Sequence, residues 1–424
     1  MKTFAIKGNI MHTPTSQEIK VYDEHLLVCE NGEVAGIFKE LPEKYNGIEI
    51  IEYINQLIVP GFIDLHVHAP QYSFRGLGMD LELLEWLNVN AFPEEAKYSD
   101  LEYANKAYRM FIEELKIGAT TRACIFATIH NEATLLLMEE LEKTGLCTMV
   151  GKVNMDRNSP DILREENAEK ALLETKKWVE KSRKFKNTMP ILTPRFIPSC
   201  TDKLMYGLGE LQREYNLPVQ SHLSENLSEI EWVKSLCPNA KNYGDAYNTF
   251  GLFGGGNCKT VMAHCVYSEA EELELMKKNH VFIAHCPNSN TNISSGIAPV
   301  RTYLDKGVKI GLGSDVAGGF SASMFRAMSD TIQVSKLRWR ISDNSLKPIN
   351  MHEALYMCTK GGGEFFGKVG SFEKGYEFDA VILDDKNIPC PFELSTVQRF
   401  ERIMYLGDNN NVKAKFVKGN KIKL

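Results

Sequence analysis

Pro60-Gly61-Phe62-Ile63-Asp64-Leu65-His66-Val67-His68 carries the end of an apolar run, Leu57–Val67, that reads as one strand. In a strand, side chains two positions apart point to the same side, so His66 and His68 aim both imidazoles at one point. Imidazole is the commonest ligand for first-row metals. Outward from this stretch lie seven more short apolar runs: Ala119–Ala127, Cys147–Asn154, Ile191–Ile197, Pro218–Leu223, Thr260–Cys265, Val281–Ala284 and Lys309–Gly313. Helical stretches separate most of them, among them Glu132–Thr144, Ala168–Phe185, Asp202–Glu214 and Ser268–Lys278. Eight strands alternating with helices is the pattern of an α/β chain folded as a (β/α)8 TIM-type barrel. A doubly wound sheet is the alternative. The charge-rich stretch Arg164–Lys186 reads as a solvated helix face.

The two ends of the chain read differently. Lys2–Lys7, Ile19–Cys29 and Glu33–Phe38 are strand-like, with Asn31-Gly32 as a hairpin turn. Tyr376–Leu383, Val397–Leu406 and Val412–Val417 are strand-like as well. Two β-rich ends around a long alternating middle predict that the termini meet in one small β domain.

Composition narrows the function classes. Among 424 residues, Lys and Arg number 49 against 55 Asp and Glu, a formal charge of −6. That balance offers no electrostatic reason to bind nucleic acid or an anionic membrane. At 43% hydrophobic and 25% charged, the chain can bury a large core. No apolar run approaches the ~18 residues a membrane span needs, and the first residues lack the apolar core of a signal peptide. None of the ten cysteines forms a Cys-x-x-Cys pair, so the default compartment is the reducing cytoplasm.

Three more candidate ligands fall at strand ends. His222 and His264 lie at the ends of the fifth and sixth predicted strands, and Asp315 follows the eighth. In a barrel, with His66 and His68 on the first strand, these groups surround the mouth where such folds carry their active sites. Neutral imidazoles with one carboxylate suit one divalent ion per chain, Zn²⁺ or Fe²⁺. Water on such an ion has its pKa brought to ~7, which makes hydroxide accessible at neutral pH. Glu225 lies three residues after His222, where a proton shuttle is needed; the rival reading is a helix-start glutamate beside a capping Ser224 or Ser228. His285 opens a turn after the seventh strand and reads equally as a pocket or a structural residue. His12, His25, His130, His280 and His352 have no such context. Gly251–Gly256 misses the phosphate-binding pattern, and the glycines around Asp315 miss the dinucleotide one. Gly-x-Ser-x-Gly is absent.

With these residues in view, the chain resembles the metal-dependent amidohydrolase superfamily, through Pro60–His68, His222, His264 and Ser314-Asp315. His285-Cys286-Pro287-Asn288-Ser289 resembles its subgroup acting on aromatic nitrogen heterocycles. Within it, His68-Ala69-Pro70-Gln71-Tyr72-Ser73-Phe74, Leu83–Leu87 with Phe92-Pro93, Pro194-Arg195-Phe196, His222–Asn226 and Gly313–Gly319 are similar to the guanine deaminase family. The resemblance implies a barrel with a small β-sandwich from both termini: 1–59 and 369–424 as sandwich, 60–368 as barrel. It implies a homodimer, His66, His68, His222 and Asp315 as ligands to one metal, and His264 as the residue that orients the reactive water. Gln71, Arg195 and Phe196 would then hold guanine.

Elementary chemistry agrees with those roles. Guanine has apolar faces and polar edges, so its pocket needs an aromatic surface, Phe196 or Trp86, and directional partners. Gln71 both donates and accepts; Arg195 only donates. The expected reaction is hydrolysis at C2 by metal-bound hydroxide, giving xanthine and ammonia, with Glu225 carrying a proton to N3 and Asp315 accepting the remaining hydroxyl proton. The rivals are an aminohydrolase of adenine-type compounds, cytosine or triazines, a two-metal cyclic-amide hydrolase, and an inactive barrel serving as a scaffold. The two-metal class uses a lysine on the fourth strand, where this chain has Arg195-Phe196. The His-x-Glu and Pro-Cys-x-x-Cys route of cytidine deaminases is excluded, because Pro389-Cys390 has no second cysteine.

Overall fold

The computed structural model describes residues 3–424, so Lys2 of the first expected strand lies outside the described residues. The fold is mixed α/β. Among the described residues seventeen strands occur: β1 (Phe4–Thr15), β2 (Glu18–Glu30), β3 (Glu33–Phe38), β4 (Glu49–Pro60), β5 (Phe62–His68), β6 (Thr120–Phe126), β7 (Cys147–Gly151), β8 (Val153–Asn154), β9 (Thr188–Pro190), β10 (Thr193–Pro194), β11 (Val219–Leu223), β12 (Thr260–His264), β13 (Phe282–His285), β14 (Lys309–Leu312), β15 (Ala380–Leu383), β16 (Val412–Val417) and β17 (Asn420–Ile422).

The middle of the chain forms two four-stranded parallel sheets, β5-β6-β7-β9 and β11-β12-β13-β14. At one seam Leu192 bridges to Val219. At the other, Asp315 N–H donates to the His66 carbonyl at 2.8 Å and His68 N–H to the Val316 carbonyl at 3.0 Å. Ile63, Leu65, Cys124, Met149, Ile191, Val261, Ala263, Phe282 and Ala284, from strands of both sheets and the segment between β9 and β10, pack into one cluster with Phe365. A larger apolar layer includes Phe111, Leu137, Trp178 and Leu208 of the crossover helices. Burial on both faces explains why these strands read as continuous apolar runs.

The termini build one seven-stranded mixed sheet in the order β17-β16-β15-β4-β1-β2-β3. Asn31 and Gly32, at φ 56° and 88°, form the expected hairpin turn. The sheet curls until its β3 edge reaches the segment before β15: Val34 N–H donates to the Tyr376 carbonyl and Phe378 N–H to the Gly32 carbonyl, both at 2.8 Å. Phe4, Phe378 and Phe416 pack inside the curl.

Several strand expectations need correction. Leu57–Val67 is two strands, parted at Gly61. A Cβ there would sit 2.2 Å from the Thr121 hydroxyl, so this close approach requires glycine. Cys147–Asn154 breaks at Lys152, and Tyr376–Leu383 is a strand only from Ala380. Ile191–Ile197 shrinks to β10 and a helical turn, because Pro190 and Pro194 cannot donate to a ladder. Val397–Leu406 is a helix, Thr396–Leu406, rather than a strand. Ser395 and Gln398 form a reciprocal cap at its start, and Phe400, Ile403 and Met404 give it a buried face at helical spacing.

Candidate active site

Strand ends place the expected ligands around one point. In β5, three residue steps from Asp64 to Val67 face two steps from Ala123 to Ile125 on β6. This bulge switches the inward parity of the strand. Ile63 and Leu65 fill the core below, while His66 and His68 turn toward the pocket above. The Asp64 carboxylate pins the bend to the chain after β14, accepting from the backbone N–H groups of His66 (3.1 Å) and Ser314 (3.0 Å) and from the Ser314 hydroxyl (2.5 Å). His222 projects from β11. His264 and Asp315 sit at φ 72° and 46°, in the left-handed region that non-glycine residues rarely adopt.

The resulting distances suit a cation. His66 Nε2 lies 3.2 Å from His68 Nε2, which lies 3.3 Å from His222 Nε2. Asp315 Oδ1 is 3.1 Å from His66 Nε2 and 3.4 Å from His68 Nε2. A tetrahedral zinc, with bonds of ~2.0–2.1 Å to nitrogen, holds its ligands ~3.3 Å apart. Tautomers agree as well. His222 Nδ1 donates to the Arg195 carbonyl at 2.6 Å, which leaves Nε2 as a bare lone pair facing the other ligands. His264 Nδ1 meets Asn290 Oδ1 at 2.8 Å, and its Nε2 has no hydrogen-bond partner among the described residues. Phe126 packs against the rings of His66, His68 and His222.

Electrostatics sort the acids. Burial pushes the Asp315 carboxyl up, but the imidazoles of His66, His264 and His68 outweigh burial and hold it well below the carboxylate range. Glu225 goes the other way: burial, then the neighbouring Asp315, pushes its carboxyl well above the usual range, against a hydrogen bond from Ser295. Burial first, and neighbouring imidazoles second, lowers His68 and His222. Glu225 Oε2 lies 3.4 Å from His264 Nε2, and Oε1 accepts from the Ser295 hydroxyl at 3.0 Å. Glu225 does not cap the following helix. Asn226 does so, with Glu229 returning the bond, so the carboxyl of Glu225 is left for the pocket.

All the other expected site residues reach this pocket. It is lined by His68, Gln71, Trp86, Arg195, Phe196, His222, Glu225, His264 and Asp315, with Leu83, Leu87 and Ile293 closing the apolar side. His66 lies beside it. His285 does not line it; burial, with His264 nearby, pushes its imidazole down to about 3, and neither ring nitrogen has a partner among the described residues. His12 is buried at the terminal sheet, and His25, His130, His280 and His352 lie outside the lining. Sequence reasoning missed Glu95, Ser295, Asn290 and Glu229. The capping pattern Asn226-x-x-Glu229 was a readable signal for the last; the other three act on partners distant in sequence.

Comparison with known proteins agrees with this geometry. The amidohydrolase family pattern matches residues 57–422. A guanine deaminase of Dictyostelium discoideum is 38% identical, covering 98% of this chain and 97% of its own length. The crystal structure of a guanine deaminase from C. acetobutylicum with guanine bound in its active site is 46% identical, with a TM-score of 0.96 and full coverage of both chains. The E. coli guanine deaminase structure is 31% identical with a TM-score of 0.89, covering 100% of this chain and 99% of its own. The chain belongs to the amidohydrolase family, within its guanine deaminase branch.

Proposed function

We propose that the protein hydrolyses guanine to xanthine and ammonia. The observation that carries this is the convergence of three imidazole Nε2 atoms and one Asp315 oxygen, at 3.1–3.4 Å spacings, beneath a pocket walled by Gln71, Arg195, Phe196 and Trp86. His66, His68, His222 and Asp315 would hold one divalent ion, zinc in the first place and Fe²⁺ as the alternative. Such an ion, when bound, acts as a Lewis acid and brings the pKa of a water it carries to about 7.

The chain's own residues do the rest. Glu225 takes a proton from the attacking water and delivers it to N3 of the ring, beside the C2 carbon that loses its amine. Asp315 accepts the remaining hydroxyl proton and passes it to the amine, which leaves as ammonia. His264, fixed by Asn290, aligns the attacking oxygen. Arg195 donates to acceptors on the purine edge, Gln71 reads a donor–acceptor pair, and Phe196 and Trp86 cover the faces. Leu83, Leu87 and Ile293 exclude bulk water.

This reading also takes the two parallel sheets as the halves of a (β/α)8 barrel over 60–368. Support comes from the seam hydrogen bonds and from one core fed by both sheets. The curled sheet is taken as a β-sandwich formed by 1–59 and 369–424. All ten cysteines are free, which favours the reducing cytoplasm. No helix among the described residues is long and apolar enough to cross a membrane. A homodimer follows from the family resemblance.

Ammonia release from a panel of guanine, adenine, cytosine and a triazine tests the substrate. Guanine is expected to exceed the others by ~10⁴-fold in kcat/KM, the discrimination available to a site that hydrogen-bonds specific edge groups. Ammonia from another base with none from guanine would reassign the substrate.

A further inference from the structure

Behind the pocket wall lies a carboxylate that belongs to neither the metal cluster nor the lining. Glu95 is buried, with 1% of its surface exposed. Its two oxygens take both terminal nitrogens of Arg195, at 2.7 and 3.0 Å. Oε1 also accepts from Gln71 Nε2 at 2.7 Å. The other end of that amide is fixed too, since Gln71 Oε1 accepts from Ala317 N–H at 3.1 Å. One buried side chain therefore holds both polar residues assigned to the substrate edge.

We propose that Glu95 is a positioning residue that sets the pocket's preference for a 6-oxo over a 6-amino purine. The inference deepens the guanine reading and rests on it. An end-on pair with a carboxylate fixes the guanidinium plane and leaves only outward N–H donors for a ligand. It also cancels the Arg195 charge, so the pocket offers directed donors to a neutral base. Because Gln71 must give one N–H to Glu95 and its oxygen to Ala317, the amide cannot turn over and exchange donor for acceptor. Guanine and 2,6-diaminopurine share the amino group at C2. They differ in that C6 bears an acceptor oxygen in the first and a donor amine in the second, and N1 changes from donor to acceptor. A locked Arg195 and Gln71 match the first set and confront the second with donor against donor. Without Glu95, Arg195 can swing and the amide has one anchor instead of two.

The test compares kcat/KM for guanine and 2,6-diaminopurine in the wild type, Glu95→Gln and Glu95→Asp proteins. Metal content and thermal melting are measured on the same samples. Glu95→Gln is expected to lose about 100-fold on guanine and much less on 2,6-diaminopurine, so the preference falls at least tenfold with metal retained. Glu95→Asp keeps the charge but shortens the reach, and is expected to recover part of that preference. A merely structural role would lower both substrates together and leave the ratio unmoved. If Glu95→Gln does not fold, Glu95→Asp alone is expected to reduce the ratio at least threefold. A ratio within twofold of wild type in the folded variants overturns the role of Glu95, provided the wild type releases ammonia from guanine. No ammonia from guanine with the wild type overturns the reading beneath it.

Discussion

Glu225 and Asp315 are both buried carboxylates within reach of His264, yet their environments drive them apart. Asp315, ringed by imidazoles, stays ionised and suits a ligand role. Glu225, with burial and Asp315 against its charge, is pushed toward its protonated form and suits a carrier. Glu225→Gln keeps the shape and the Ser295 contact but removes the exchangeable proton, so turnover is expected to fall about 10³-fold with metal content unchanged. Near-normal steady-state turnover would remove Glu225 from this role. The proposed ligands were legible because each lies within or just after a short apolar strand, a polar residue where the pattern predicts more core. Glu95 and Ser295 were not, because their partners Arg195 and Glu225 lie 100 and 70 residues away. The left-handed backbone at His264 and Asp315 was equally hidden: Asp and His adopt positive φ more often than most non-glycine residues, but too seldom for the residue type to announce it.

At the scale of elements, the bulge in β5 does work that a His-x-His spacing only hints at. Alternation alone puts two imidazoles on one side, and the extra residue decides that this side is the pocket. The misread segment Thr396–Leu406 shows the opposite failure. Its apolar residues fit both periods over a few positions, and the reciprocal cap of Ser395 and Gln398 was the signal that separates them. His12, on β1, gives the terminal sheet a pH dependence. It accepts from Phe372 N–H at 3.4 Å and contacts the Ser371 hydroxyl at 3.3 Å, so it sits neutral in the fold. Burial, reinforced by Lys20 and Lys360 and opposed by Glu373, lowers its pKa from 6.5 to about 4. The unfolded chain therefore binds the extra proton first as pH falls. His12 contributes stability that is complete above pH ~6.5 and lost toward pH ~4, up to about 3 kcal/mol. Denaturant titrations at pH 7 and pH 4 are expected to show a smaller loss for His12→Asn than for wild type; equal losses would contradict this.

Across the whole molecule, buried charge ties the terminal sheet to the parallel strands. Arg122 of β6 donates from Nε to Asp379 at 2.6 Å and from a terminal nitrogen to Glu377 at 2.7 Å, just before β15. Lys415 of β16 gives three hydrogen bonds of 2.8 Å to the carbonyls of Leu115, Gly118 and Thr120 around the end of the helix Leu101–Ile117. Such contacts tie the C-terminal part of the sheet to β6, the strand paired with the one that carries His66 and His68. Arg122→Met leaves Asp379 buried without its cation, and is expected to cost about 3–5 kcal/mol in denaturant unfolding. A change below about 1 kcal/mol would mean the seam holds without it. The β-rich ends were visible in the sequence, but the order of strands was not, because β1 pairs with β4 across about 45 residues and β4 with β15 across about 320.

The most direct measurement is the conversion of guanine to xanthine by the purified protein, before and after complete metal removal and during stepwise return of Zn²⁺. Activity is expected to vanish with the metal and to return in proportion, reaching its plateau at one equivalent per chain. Undiminished activity in metal-free protein, or a plateau at two equivalents, would contradict a single ion held by His66, His68, His222 and Asp315.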